Sequence, residues 1–123
     1  MEEGRKSAQS FQDLMVWRKA HQLVLEIYKA TRSFPNDEKF GLVSQMRRAA
    51  VSVPANIAEG FTRRGLKDKL HFYNISQASL EELKYYLILS QDLAYLPSKE
   101  ALWLKGEEVG RMLTRWCEPL RER

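Results

Sequence analysis

Residues 38–62 read EKFGLVSQMRRAAVSVPANIAEGFT, and the spacing of apolar residues in that run decides the fold. Leu42, Val43, Met46, Ala49, Ala50, Val53 and Ile57 recur at three- and four-residue steps, as one face of an α-helix requires. Pro54 falls inside the run, where a proline removes a backbone hydrogen bond and costs about 3 kcal/mol. The apolar face stays in phase on both sides of it, so the segment reads as one kinked helix rather than two. Ser52 is placed to bond the freed backbone groups, and Gly60 reads as an interruption or cap near the end.

The same helix carries two further strips. At about 100° per residue, Gln45, Arg48, Ser52, Asn56, Glu59 and Arg63 share a polar sector, while Val51, Pro54, Ala55 and Ala58 form a sector of small apolar residues. A helix with water on its outer side does not normally carry that third strip, so another surface is expected to cover it.

Three more helices flank this one. The first runs from about Asp13, a candidate N-cap, to Ser33, with Val16, Trp17, Ala20, Leu23, Val24, Ile27, Tyr28 and Thr31 in period, and Phe34-Pro35 ends it. The third runs from about Lys67 to Tyr95 with Leu70, Tyr73, Leu80, Leu83, Leu87 and Leu93 on or near one stripe; Arg63-Arg64-Gly65 is the turn before it. The fourth, capped by Ser98, runs from Glu100 to about Glu118 with Leu102, Val109, Met112, Leu113 and Trp116 in period. Long helices on short connections pack against their neighbours, which predicts an all-α, antiparallel up-down-up-down four-helix bundle. Residues 11–123 are expected to form that single domain, and the polar residues 1–10 a disordered arm.

Helix three also has more apolar surface than one stripe needs. Phe72, Ile75, Tyr85, Tyr86, Ile88 and Leu89 spread beyond it, so self-association is expected through Val51, Ala55, Ala58, Phe72, Tyr85, Tyr86 and Ile88.

Catalytic chemistry finds no foothold. A Gly-rich phosphate loop, GxSxG, HExxH and a cysteine pair are all missing from the sequence. Asp68-Lys69-Leu70-His71 places a carboxylate three residues before a histidine, but His21 has no such partner, so the paired arrangement of di-metal bundles is not met. Cys117, the single cysteine, sits in an apolar helical stretch and reads as a small buried hydrophobe. The expectation is no enzyme, no cofactor and no metal. No apolar run approaches the roughly 18 residues of a membrane span, and the arm lacks the apolar core of a secretory signal, which points to a cytoplasmic protein with no membrane partner.

Charge is the remaining lever. Residues 1–65 hold 11 Lys/Arg against 7 Asp/Glu, whereas residues 66–123 hold 9 of each. Within residues 47–69, Arg47, Arg48, Arg63, Arg64, Lys67 and Lys69 face only Glu59 and Asp68, so the whole net charge of +4 can be assigned there. Such a segment is a candidate surface for RNA or DNA, with Arg47, Arg63, Arg64, Lys67 and Lys69 as contacts. Glu59 and Arg63, four apart, are set to pair within the protein.

The residues Phe11-Gln12-Asp13-Leu14-x-Val16-Trp17, Phe34-Pro35 and QMRRAAVSVPANIAEG (45–60) together resemble the four-helix-bundle proteins encoded in intervening sequences of bacterial 23S ribosomal RNA genes. The resemblance runs from about Phe11 to Leu96. At 78–83 the chain has ASLEEL where that family usually has GSLxEL. The resemblance implies a ring, typically a homopentamer, with no enzymatic activity, and it marks Gln45, Arg48, Ser52, Pro54, Asn56, Glu59 and Gly60 as a structural or assembly motif. A related group, the accessory proteins of diversity-generating retroelements, implies nucleic acid, a reverse transcriptase or another protein as partner. Two readings follow: an oligomeric bundle that binds structured RNA through its basic segment, or a scaffold that docks a protein partner without touching nucleic acid.

Overall fold

Each apolar stripe becomes the buried face of a helix. In this computed structural model, which describes residues 8–122, α1 spans Met15–Thr31, α2 Leu42–Thr62, α3 Leu66–Asp92 and α4 Glu100–Arg121. No strand occurs among the described residues. Two short 3₁₀ turns, Phe11–Asp13 and Asn36–Glu38, precede α1 and α2. The core is built by Ala20, Leu23 and Ile27 of α1, Met46, Val53 and Ile57 of α2, Tyr73, Leu83 and Leu87 of α3, and Val109, Leu113 and Cys117 of α4. Each of the larger of these side chains contributes about 1.5–3 kcal/mol by leaving water.

Side-chain bonds between helices give their directions. Ser76 Oγ donates to the Val53 carbonyl (2.8 Å), Ser79 Oγ to Ser52 Oγ (2.8 Å) and Ser90 Oγ to Met46 Sδ (3.3 Å). Numbers rise on α3 as they fall on α2, so the two run in opposite directions. Helix α4 pairs with α3 in the same opposed sense, through Gln77–Thr114 and Arg121–Asn74. Helix α1 packs against both α2 and α4, which closes the bundle.

Pro54 is buried, and α2 continues through it as one helix. The Ala50 carbonyl loses its helical donor there. The serines of α3 grip the neighbouring backbone and hydroxyl, and Asn56 Nδ2 donates to the Ser52 carbonyl (2.8 Å) and Ser52 Oγ (3.0 Å). Ser52 is thus held by Asn56 and Ser79. The burial of Pro54 removes it from the strip expected to face outward.

Gly60 is neither an interruption nor a cap. A Cβ at this position would lie 2.5 Å from Cε1 of the buried Tyr73, so the missing side chain is what lets α2 and α3 close on that ring. Ala78 is exposed, so the methyl group that departs from the resembled pattern meets no packing constraint.

Several helix ends differ from expectation. Asp13 lies in the first 3₁₀ turn, where its carboxylate accepts from the Gln9 and Ser10 N–H groups and Ser10 Oγ accepts from Gln12. Residues 1–7 of the expected arm lie outside the described residues. Helix α3 stops at Asp92 because Ala94 takes a left-handed conformation (φ 64°), and the Tyr95 and Ala94 N–H groups fold back onto the Ser90 and Gln91 carbonyls. That turn leaves Leu93 exposed, and Leu70 is only half-buried, so neither completes the core stripe. Helix α4 continues past Glu118 to Arg121 with Pro119 in its last turn.

Candidate nucleic-acid interface

The five basic candidates divide according to what holds them. Arg47 is committed to α1: Nε donates to Thr31 Oγ1 (3.0 Å), Nη2 to the Tyr28 carbonyl (3.3 Å), and the guanidinium lies 4.4 Å from the centroid of the Tyr28 ring. Lys69 closes the end of α2, donating to the Gly60 (3.2 Å) and Phe61 (2.9 Å) carbonyls. A cation is favoured where a helix leaves its last carbonyls unpaired. Partial burial holds the Lys69 ammonium below the ordinary lysine range.

Arg63, Arg64 and Lys67 lie where α2 turns into α3, and all three are exposed. Arg63 pairs with Glu59 at 3.0 Å across one turn of helix and covers the Phe72 ring at 4.6 Å. Arg64 and Lys67 make no hydrogen bond or ion pair with the described residues. The structure therefore brings Arg63, Arg64, Lys67 and Lys69 to one end of the bundle, and places Arg47 towards the other.

Of the motif residues, Gln45, Ser52 and Gly60 meet α3, at Tyr86, Ser79 and Tyr73. Tyr86 Oη is 3.5 Å from Gln45 Oε1 and donates to Glu82 at 2.7 Å, which pushes the phenol up. Arg48 is exposed, with no bond to the described residues. Of the residues expected at an oligomer interface, Val51, Ala55, Tyr85 and Ile88 are exposed, whereas Ala58, Phe72 and Tyr86 are half-buried against their own protomer.

Little else in the described residues supports chemistry. No group of three or more His, Cys, Asp or Glu could hold a metal ion, and no helix is long and apolar enough to cross a membrane. His21 stacks on Trp17 at 5.0 Å, and both histidines are exposed. Cys117 is buried, and burial pushes its thiol up, so the thiolate is disfavoured. A groove of about 570 Å³ between α3 and α4 is bridged by Lys84, which pairs with Glu81 and Glu107. The hydrogen bond to Glu107 raises the lysine and lowers the carboxylate.

Sequence reasoning did not single out Ser76, Ser79 and Ser90, although they share the phase of Tyr73, Leu80, Leu83 and Leu87. It also missed Phe40, which stands 90% exposed just before α2. The sequence is matched by the model of the 23S rRNA-intervening sequence protein family over residues 12–115. The chain belongs to that family. A crystal structure of a protein of unknown function from the S23 ribosomal protein family of Bacteroides thetaiotaomicron VPI-5482 is similar in fold. It is 22% identical, with a TM-score of 0.75, over 85% of this chain and 99% of that one. No curated protein matches the sequence. The family match extends beyond the resembled segments into α4, so it takes in all four helices.

Proposed function

We propose that this chain is a non-enzymatic, self-assembling helical bundle that binds nucleic acid, structured RNA first of all, through the basic end where α2 turns into α3. The observation that carries the reading is the pair Arg64 and Lys67. Both are exposed and unpartnered among the described residues; Arg64 follows Arg63 in the connection between α2 and α3, and Lys67 lies in the first turn of α3. Arg63, Arg64, Lys67 and Lys69 have only Glu59 and Asp68 against them there, so the surplus charge repels, and a phosphate backbone relieves that repulsion while releasing its own counterions. The family's name points to 23S rRNA as the first RNA to try. Assembly multiplies the contacts, and the family resemblance implies a ring of five copies.

The test is binding of a labelled, structured RNA fragment from a 23S rRNA intervening sequence at low salt. Arg64→Glu/Lys67→Glu is expected to remove binding while leaving helicity intact, because neither side chain is packed. Undiminished binding by that variant would overturn the proposal. The competing scaffold reading draws on the exposed Tyr85 and Ile88; it predicts no RNA affinity at any salt concentration.

A further inference from the structure

Two apolar patches of opposite electrostatic character lie on different sides of the bundle. The first is a groove of about 580 Å³ between α1 and α2, where Phe40, Val43, Val51 and Tyr28 are accompanied by Lys39 and Arg48. Phe40 is 90% exposed, with only the Lys39 ammonium over its ring at 5.5 Å. The second is a ridge on α3. Tyr85 (55% exposed) and Ile88 are one helical turn apart, and Glu81, Glu82 and Asp92 flank them at three- and four-residue steps. Aromatic anchors inside a polar rim are the usual composition of an association surface.

The patches also lie at one level along the bundle. Ser79–Ser52, Tyr86–Gln45 and Ser90–Met46 set α3 residues 79–90 beside α2 residues 45–52. Tyr85 and Ile88 are thus level with the part of α2 between Gln45 and Ser52, within the stretch from Val43 to Val51 that lines the groove, though on another side. We infer that the cationic groove around Phe40 of one copy receives the acidic Tyr85–Ile88 ridge of a second copy. This rests on the self-assembly proposed above and names the two faces that carry it.

Because groove and ridge are different surfaces, the contact is head-to-tail, and repeating it closes a ring or extends a filament. Because they share a level, copies joined with their bundle axes parallel stand side by side without stagger. Every α2–α3 turn then lies at the same rim of the assembly, gathering Arg63, Arg64 and Lys67 of all copies there. That rim is about 28 Å from Tyr85, at 1.5 Å per helical residue, so assembly and nucleic-acid contact use separate residues.

The experiment is light scattering on the full chain without nucleic acid, using Phe40→Glu and Tyr85→Arg separately and mixed in equal amounts. Wild type should show a multiple of 14.4 kDa and each variant the monomer mass. The mixture should recover at least two copies, since each variant keeps the face the other lacks. Far-UV circular dichroism checks folding, and Val51→Lys is a second groove variant. A monomeric wild type, a single variant that keeps the wild-type mass, or a mixture that stays monomeric each overturns the inference. RNA affinity plays no part in the readout, so this can fail while the nucleic-acid proposal stands, and the reverse.

Discussion

Gly60→Ala adds one methyl group to α2, and its effect can be worked from three distances. The new Cβ would lie 2.5, 2.9 and 3.0 Å from Cε1, Cδ1 and Cζ of Tyr73. Carbon atoms pack at about 3.5–4.0 Å, so the ring would have to retreat by about 1 Å. It has little room: Tyr73 is 1% exposed, and the Trp116 ring meets it edge-on at a centroid distance of 6.3 Å. Forcing extra volume into a packed core costs about 1–3 kcal/mol. The exchange of glycine for alanine in a helix returns up to about 1 kcal/mol. The clash wins, giving a net loss of about 1–2 kcal/mol, or roughly 4–8 °C in melting temperature for a chain of this length. Thermal and urea unfolding followed by circular dichroism measure it, at one protein concentration because assembly shifts apparent stability.

The decisive comparison repeats the substitution in a Tyr73→Leu background. With the ring removed, the alanine should stabilise by up to about 1 kcal/mol, reversing the sign. A Gly60→Ala protein as stable as wild type, or an equal loss in both backgrounds, would refute the reasoning.

Two further outcomes follow from local geometry. Ala94→Gly should stabilise by about 1 kcal/mol, because a left-handed φ of 64° strains a residue with a Cβ and suits glycine; a lower urea midpoint would contradict this. Burial pushes the Tyr73 phenol above its ordinary value of 10.0. The folded state then holds a proton that the unfolded chain gives up first, so this contribution is complete below pH 10.0 and is lost as pH rises through the raised folded value. Urea midpoints measured below and above that pH should fall less steeply in Tyr73→Phe than in wild type, with Tyr86 and Tyr95 supplying the remainder through their bonds to Glu82 and Glu38.

The fold was legible because a four-helix bundle buries stripes, and stripes are periodic. The Leu42–Ile57 run kept its phase across Pro54, and α2 remains one helix. Periodicity says nothing about where a ladder ends, so the helix ends placed at Asp13, Tyr95 and Glu118 were misjudged, the second because Ala94 turns the chain left-handed. It also assigns polar residues outward, which hid Ser76, Ser79 and Ser90, whose hydroxyls are paired across the α2–α3 contact. Composition likewise treats cations alike. Arg47 and Lys69 read as equals of Arg64 and Lys67, yet the first pair is bonded to carbonyl and hydroxyl oxygens and the second faces water. Phe40 was passed over because it lies outside any helical stripe, where period carries no information.

Cations at the α2–α3 turn that meet phosphates must show themselves in the salt dependence of RNA affinity. For each phosphate neutralised, the slope of log affinity against log salt steepens by roughly 0.9 on a duplex. Wild type should lose affinity steeply as salt rises. Arg64→Ala/Lys67→Ala should bind more weakly at low salt, with a slope shallower by about 2 for each copy in contact. The absence of measurable binding at low salt, or equal slopes for the two proteins, would contradict the account.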